Sequence, residues 1–481
     1  MSGGGFPGSE RRLLLFLGGG VFLYAILTAF FVQGVVAPRL PGAETVPPGM
    51  IAGSDTPFFH RLAVEQAEAI RAEGWSAWAW NPGWQPAQPV GILSAIYAVF
   101  GPSLLFAIPL TALLHAAAAL LLYGLLRALG FARLPAVVGV LPLVFFPSTL
   151  TWVSQFHKDN LFLPGFFLFL LGWIGLVRGR GGRWAGAVLL VAAGAVLMAS
   201  MRPYALTFAA LAGTAGLLVA VAVQTLRRTL SPGAGLLRIC GGGLVLGSLL
   251  LFSPGGPQGP AAEASAPPSS EAGEKPSRPN LVPGLAGSND TPVNADPTAE
   301  VSEGPPILAW EPTPWLPGAV DDAFRQLATA RAVTHWMFPE AGSRLDEERR
   351  FTSAPDLLAY LPRAVTIGLL APFPRQWVER GLTPTGTLER RVVAGEMILA
   401  YGCFLAVLLG LWRRLLAPRL GVVLLCGLFL LPYVYALSAV GSLYRLRFGP
   451  WIVLVALGAA VLAEGVQAYR ARQQPRRLAR A

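Results

Sequence analysis

Chemistry in this chain has few places to reside. Asp55 with His60 and Arg61, the tripeptide His157-Lys158-Asp159, Arg202 in Met201-Arg202-Pro203-Tyr204, Glu396, and the run Tyr444-Arg445-Leu446-Arg447 all put ionisable groups at the edges of apolar runs. Such groups are costly there unless solvated or paired, so their recurrence marks them as candidates for function. One or two of the carboxylates could serve as a general base, and the cations could hold a phosphate or pyrophosphate. Transfer from a lipid phosphate needs that combination. A positioned carboxylate takes the proton of the attacking hydroxyl, and arginine or lysine stabilises the charge growing on the departing phosphate.

Each residue also has a purely structural reading. Asp55 in Ser54-Asp55-Thr56-Pro57 has the form of a helix cap ahead of a proline in the first turn. His157, Lys158 and Asp159 could form a solvated turn with its own ion pair. Arg202, Arg445 and Arg447 could reach out to lipid head groups, and Glu396 could be the buried partner of an arginine. Lys158 stands out because only it and Lys275 are lysines in a chain whose other cations are arginines.

The elements that must position these groups are apolar helices. The chain is 54% hydrophobic and 13% charged over 481 residues, against roughly 25% charged for a soluble globular protein. Runs long enough to cross a bilayer fall near 13–36, 103–128, 133–152, 160–177, 184–201, 203–226, 235–253, 392–412, 418–439 and 448–468. The expected fold is therefore an all-α polytopic membrane protein of about ten transmembrane helices, with an amphipathic helical first outer loop. The first run is too long for a signal peptide core and is expected to remain as a span. Cys240, Cys403 and Cys426 fall in predicted spans, which argues against a disulfide framework.

The net charge of +11 sits in short clusters between spans, which speaks for membrane topology and against nucleic acid. Arg11 and Arg12, Arg127 and Arg133, Arg178 to Arg183, Arg227 to Arg238, Arg413 to Arg419 and the tail from Arg470 all fall on one side. By the positive-inside rule that side is the cytoplasm, with both termini inside. All the candidate groups then face the periplasmic or extracellular side of the plasma (inner) membrane.

The chain divides into an N-terminal membrane module over 1–253 with an outer loop at 37–102, and a Pro/Gly/Ser-rich segment at 254–306 expected to be disordered. A partly helical outer segment follows at 307–391, then a C-terminal membrane region at 392–481. Within 307–391, helices are expected near 318–336 and 355–370, the second lying along the membrane surface. In the first outer loop a helix over Phe58–Ala72 ends at Gly74. It carries Phe59, Leu62, Gln66 and Ile70 on one face and Arg61, Glu65 and Glu68 on another, as for a helix resting in the interface. Trp75, Trp78, Trp80 and Trp84 fit interfacial anchoring or a lipid-chain groove.

The outer loop opens with Gly53-Ser54-Asp55 and an amphipathic helix, and Pro89-Val90-Gly91 leads to Phe100-Gly101. Phe146-Pro147-Ser148 precedes His157-Lys158-Asp159, and Tyr444-Arg445-Leu446-Arg447 precedes Pro450. In this order of motifs the chain resembles the GT-C superfamily of membrane glycosyltransferases, the class of the protein O-mannosyltransferases and aminoarabinose transferases, over about 13–180 and more loosely over the last three spans. The resemblance implies that Asp55, the matching acid of the first outer loop, is the catalytic base and that the donor is a sugar on a polyprenyl phosphate. The substrate-binding residues would be His60, Arg61, His157, Lys158, Asp159, Arg202, Tyr444, Arg445 and Arg447. Two departures stand out: the usual acidic pair is here Ser54-Asp55, and Lys158 sits beside Asp159. The question of a divalent metal stays open, since such an ion wants more ligands than Asp55 and Asp159.

The expected activity is transfer of a sugar from a polyprenyl-phosphate carrier to an envelope glycan, lipid or protein acceptor. The alternatives are an oligosaccharide polymerase or ligase with a pyrophosphate-linked donor and no need of Asp55, or a non-catalytic transporter or scaffold. Internal repeats and mid-span charges, which a transporter would show, are not seen, and no Gly-rich phosphate loop or zinc-hydrolase motif is present.

Overall fold

A computed structural model describes residues 8–52, 54–81, 89–178, 182–252, 308–337, 344–381, 384–412 and 419–478. Among these the chain is almost entirely helical, and the one isolated β-bridge pairs Arg344 with Ala439. The protein is a multi-pass membrane protein. Among the described residues, eight helices are long and apolar enough to cross a bilayer, or nine if the bent pair Arg133–Phe145 and Pro147–Ser154 counts as one span. Leu420–Ala436 is a further apolar helix of 17 residues. The ten apolar runs read from the sequence map onto these eight helices, the bent pair and this shorter helix.

The helices, in order, are α1 (Gly8–Phe31), α2 (Thr56–Glu73), α3 (Pro89–Phe100), α4 (Ile108–Ala128), α5 (Arg133–Phe145), α6 (Pro147–Ser154), α7 (Asp159–Arg178), α8 (Gly182–Met201), α9 (Ala205–Leu226) and α10 (Pro232–Ser248). After 308 come α11 (Gly318–Met337), α12 (Ala354–Leu370), α13 (Pro374–Val378), α14 (Pro384–Trp412), α15 (Leu420–Ala436), α16 (Val440–Leu446) and α17 (Phe448–Leu478). Between hydrocarbon-like surfaces, water supplies no driving force for association, so helices hold together by close packing of small residues. The α7–α8 pair shows this: a Cβ on Gly172 would meet the Val191 backbone nitrogen at 2.6 Å, and one on Gly194 would collide with the Phe169 backbone.

Two ends of the bundle are polar. At one, Glu10 pairs with Arg127 and Arg133, Arg419 pairs with Glu464, and Arg178 donates to the Ala128 carbonyl. At the other stand the breaks between α6 and α7, α8 and α9, and α15 and α16. The 20 residues of α7 run from one end to the other, from Asp159 to Arg178, about 30 Å at 1.5 Å per residue and so the thickness of a hydrocarbon core.

The first long loop, after α1, contains the expected helix as α2, ending at Gly74 with φ +87°. Phe59, Ala63, Gln66, Ala67 and Ile70 are buried, and Arg61, Glu65 and Glu68 are exposed. The buried face does not rest on lipid, however. It packs on α3, which the sequence reading had not foreseen, in a small core that includes Val90, Leu93, Tyr97 and Phe156. Trp75, Trp78 and Trp80 are exposed. Trp84 lies outside the described residues, as do Gly53 and the whole segment 254–306.

The two helices expected after 307 are α11 and α12. Pro362 does not break α12, which continues to Leu370. Its buried face, Leu357, Tyr360, Ala364 and Ile367, packs on α15. Cys240, Cys403 and Cys426 are unpaired.

Candidate functional site

The site forms where helices stop. Pro203 follows Arg202 and cannot supply a backbone N–H, so α8 ends and α9 begins with Arg202 at the corner; the residue before a proline is pushed out of helical geometry. Pro147 starts α6 at a 62° bend from α5, and Gln155–Lys158 join α6 to α7. Each break leaves backbone groups and adjacent side chains free to turn inward.

Asp55 occupies the N-cap position of α2, but its side chain makes no capping hydrogen bond. The local cap is supplied by Ser54, whose hydroxyl accepts from the Thr56 N–H at 3.4 Å. The Asp55 carboxylate accepts from Arg445 Nη1 at 2.6 Å. Arg445 Nε donates to Asp159 Oδ2 at 3.1 Å, and Asp159 Oδ1 accepts from Arg202 Nη2 at 2.7 Å. The result is a continuous chain of alternating charge, Asp55–Arg445–Asp159–Arg202, drawn from α2, α16, α7 and the α8–α9 corner. The structural reading of Asp55 as a mere cap fails on this geometry.

His157 is buried in the same cluster. Burial first, then the neighbouring Arg445, pushes its pKa down to about 3, so the ring is neutral at pH 7. Arg445 Nη2 lies 3.3 Å from His157 Nδ1. Because arginine has only donors, Nδ1 is the acceptor and the proton sits on Nε2, which faces the Thr56 hydroxyl at 3.5 Å. Burial opposes ionisation of Asp55, yet Arg445, with smaller contributions from other neighbours including Lys158, holds the carboxyl below its ordinary value. Burial and then Arg202 push Lys158 down to about 8, with its ammonium 5.9 Å from the centre of the Phe59 ring. Arg202 is 1% exposed and lies over the Phe162 ring at 4.6 Å. Its Nε and Nη1 have no hydrogen-bond partner among the described residues.

The sequence candidates divide. Asp55, His157, Lys158, Asp159, Arg202 and Arg445 come together. His60 instead contacts the Tyr97 hydroxyl through Nδ1 at 2.9 Å, and Arg61 is on the exposed face of α2. Tyr444 donates to Glu396, whose other oxygen accepts from the Ser148 N–H at 2.6 Å. Glu396 therefore has a tyrosine and a backbone N–H as partners where an arginine was expected. Arg447, 1% exposed, donates to the carbonyls of Ile367, at 2.8 Å, Gly368, at 2.6 Å, and Ala371. The Ile367 carbonyl also accepts from the Ala371 N–H at 3.1 Å, whereas Gly368, whose helical partner would be Pro372 with no N–H, depends on the arginine, so Arg447 fastens the end of α12 to the bundle.

Two glutamines carry no signal of their role in the sequence beyond their polarity at the edge of an apolar run. Gln155 accepts from the Ile51 N–H at 3.2 Å and donates to the Gly49 carbonyl at 2.9 Å, and Gln33 donates to the Ser154 carbonyl at 2.5 Å. Together they pin the approach to Asp55 against the α6–α7 junction, with Thr56 meeting His157.

Among the described residues, no group of three His, Cys, Asp or Glu side chains is placed to hold a metal ion. Asp55 and Asp159 already accept from Arg445, so this donor set does not fit a divalent cation. A cavity of about 260 Å³ between α7, α9 and α15 lies at the other end, among Val177, Arg178, Arg227 and Gly421, away from these groups.

What the arrangement can do is clear from its charge. Three cations, Arg202, Arg445 and Lys158, stand against two carboxylates, Asp55 and Asp159, leaving one positive charge and two buried, unpartnered guanidinium nitrogens of Arg202 for an anion. No protein-family model, curated protein or solved structure matches this chain.

Proposed function

We propose that the protein is a glycosyltransferase that takes a sugar from a polyprenyl-phosphate carrier and attaches it to a cell-envelope acceptor at the outer face of the membrane. The observation that carries this reading is the Asp55–Arg445–Asp159–Arg202 chain, with Lys158 beside it, at one end of a membrane bundle. A phosphodiester-linked donor brings one negative charge, equal and opposite to the surplus of the cluster. In the reaction the acceptor oxygen bonds to the anomeric carbon of the sugar, the bond from that carbon to the phosphate oxygen breaks, and Asp55 takes the acceptor proton. The phosphate leaves on its lipid with added negative charge, which Arg445, Lys158 and the free N–H groups of Arg202 stabilise in a site of low dielectric.

In this structure Asp55 is the partner of Arg445, which weakens it as a base. A donor phosphate that draws Arg445 Nη1 to itself restores the basicity of Asp55 at the moment the base is required. The same ion pair also favours a second reading, a polymerase or ligase acting on a pyrophosphate-linked donor, in which Asp55 serves only to hold Arg445.

Asp55→Asn separates the two. In cells lacking the native gene product and complemented with each variant, the first reading expects loss of transfer to the envelope acceptor by about 10²–10⁴-fold. Binding of a short-chain polyprenyl phosphate to the purified variant should persist. Full transfer by Asp55→Asn eliminates Asp55 as base. Equal binding of polyprenyl phosphate and uncharged polyprenol by the native protein removes the donor assignment.

A further inference from the structure

Asp159 has a second neighbourhood besides the arginines. With Thr111, His115, Thr149, Asn160 and Pro164 among others, it lines a small pocket between α4, α6 and α7. The cavity offers about 20 Å³ to the centre of a water-sized sphere, and a single water needs about 10–15 Å³ by that measure.

Three features of the lining are polar and unmatched. His115 is 8% exposed and Asn160 is 9% exposed, yet His115 Nε2 and Asn160 Nδ2 have no hydrogen-bond partner among the described residues. Pro164 lies four residues after Asn160 inside α7, so the backbone N–H that would meet the Asn160 carbonyl in a regular helix is missing. Thr111 and Thr149 spend their hydroxyl protons on the Val153 carbonyl at 2.7 Å and the Phe146 carbonyl at 2.6 Å, and each retains a lone pair. Buried polar groups are seldom left unmet, and a small polar cavity with two to four such groups is where an ordered water resides.

We infer that this cavity is a structural water site held by His115 and Asn160, and that His115 is a positioning residue for the charge cluster. The water accepts from Asn160 Nδ2 and bonds to His115 Nε2, tying the first turn of α7 to the middle of α4. Lys158 and Asp159 stand at that turn, so the orientation of the carboxylate shared by Arg202 and Arg445 depends on it. The inference does not rest on the glycosyltransferase reading.

The test is a cycle of His115→Leu, Asn160→Leu and the double variant, read by thermal unfolding of the full chain in detergent, together with a cryo-EM map of the native protein fine enough to show ordered waters. Each single variant should lower Tm by about 2 °C or more, and the double variant should be no worse than the poorer single, because both lose the same water. His115→Gln, which keeps a polar atom near the Nε2 position, should recover most of the loss. If the site is dry, His115→Leu removes an unmet polar group and raises Tm. That rise, additive losses, or a map showing other buried waters but none here would each overturn the inference, and the map decides even if a variant fails to fold.

Discussion

The Arg445 guanidinium donates to the Asp55 carboxylate at 2.6 Å although the two residues stand 390 positions apart. That contact closes the loop between α1 and α3 onto the junction of α16 and α17. Through Asp159 it extends to Arg202, so four helix ends share one electrostatic unit. A carboxylate at a helix cap and an arginine near a lipid surface each have an undemanding solitary role, and here neither has it.

Arg445 holds two carboxylates at once, so its loss leaves charges uncompensated. Asp159 is 1% exposed, and removing one partner of a buried pair typically costs about 3–5 kcal/mol. Arg445→Ala should destabilise the protein by about that much in detergent unfolding. Arg445→Lys should recover only part, because an ammonium cannot span both acids as the planar fork does. A loss below about 1 kcal/mol for Arg445→Ala would show that the chain of charges is not structural.

Lys158 predicts a pH dependence. Its pKa is lowered from 10.5 to about 8 on folding, so between these values the unfolded state binds more protons than the folded one, and stability rises with pH. Native protein should gain stability as pH increases from about 8 to 10.5, a gain that Lys158→Met should lack. Anion binding has the opposite sign: affinity for short-chain polyprenyl phosphate should fall above about pH 8. Parallel stability profiles for the native protein and Lys158→Met would contradict the assignment.

Arg447 was a phosphate candidate in the sequence and is a helix clamp in the structure. Arg447→Met leaves the carbonyls of Gly368 and Ala371 without this donor, while Ile367 keeps the Ala371 N–H, at about 1–3 kcal/mol for each buried group left unsatisfied. The expected outcome is release of α12 from the bundle, seen as faster limited proteolysis within 344–381. If proteolysis stays at the native rate while polyprenyl phosphate binding disappears, Arg447 belongs with the phosphate after all.

Sidedness can be tested by labelling. In a background with the exposed Cys240 replaced by serine, Arg61→Cys and Arg227→Cys should react with a membrane-impermeant maleimide from opposite faces of sealed vesicles. Both residues are exposed. Reaction from the same face would reverse the reading that separates the candidate site from the arginine-rich connections.

The sequence by itself determined the long apolar helices, though not α3, and the gathering of ionisable groups at their ends, because a bilayer admits a long apolar run only as a helix with its backbone hydrogen bonds met internally. It also marked the apolar face of α2, Phe59, Leu62, Gln66 and Ile70, of which Leu62 is half-buried, but not that this face packs on α3. Which polar groups meet was decided only by the tertiary structure. Arg445 and Arg447 look alike in the sequence, but two positions along a helix is a turn of about 200°, so one reaches Asp55 and Asp159 and the other the end of α12. Hydrophobic periodicity carries no record of helix crossing or of chain breaks such as Arg202-Pro203, and these set the distances between charges remote in sequence.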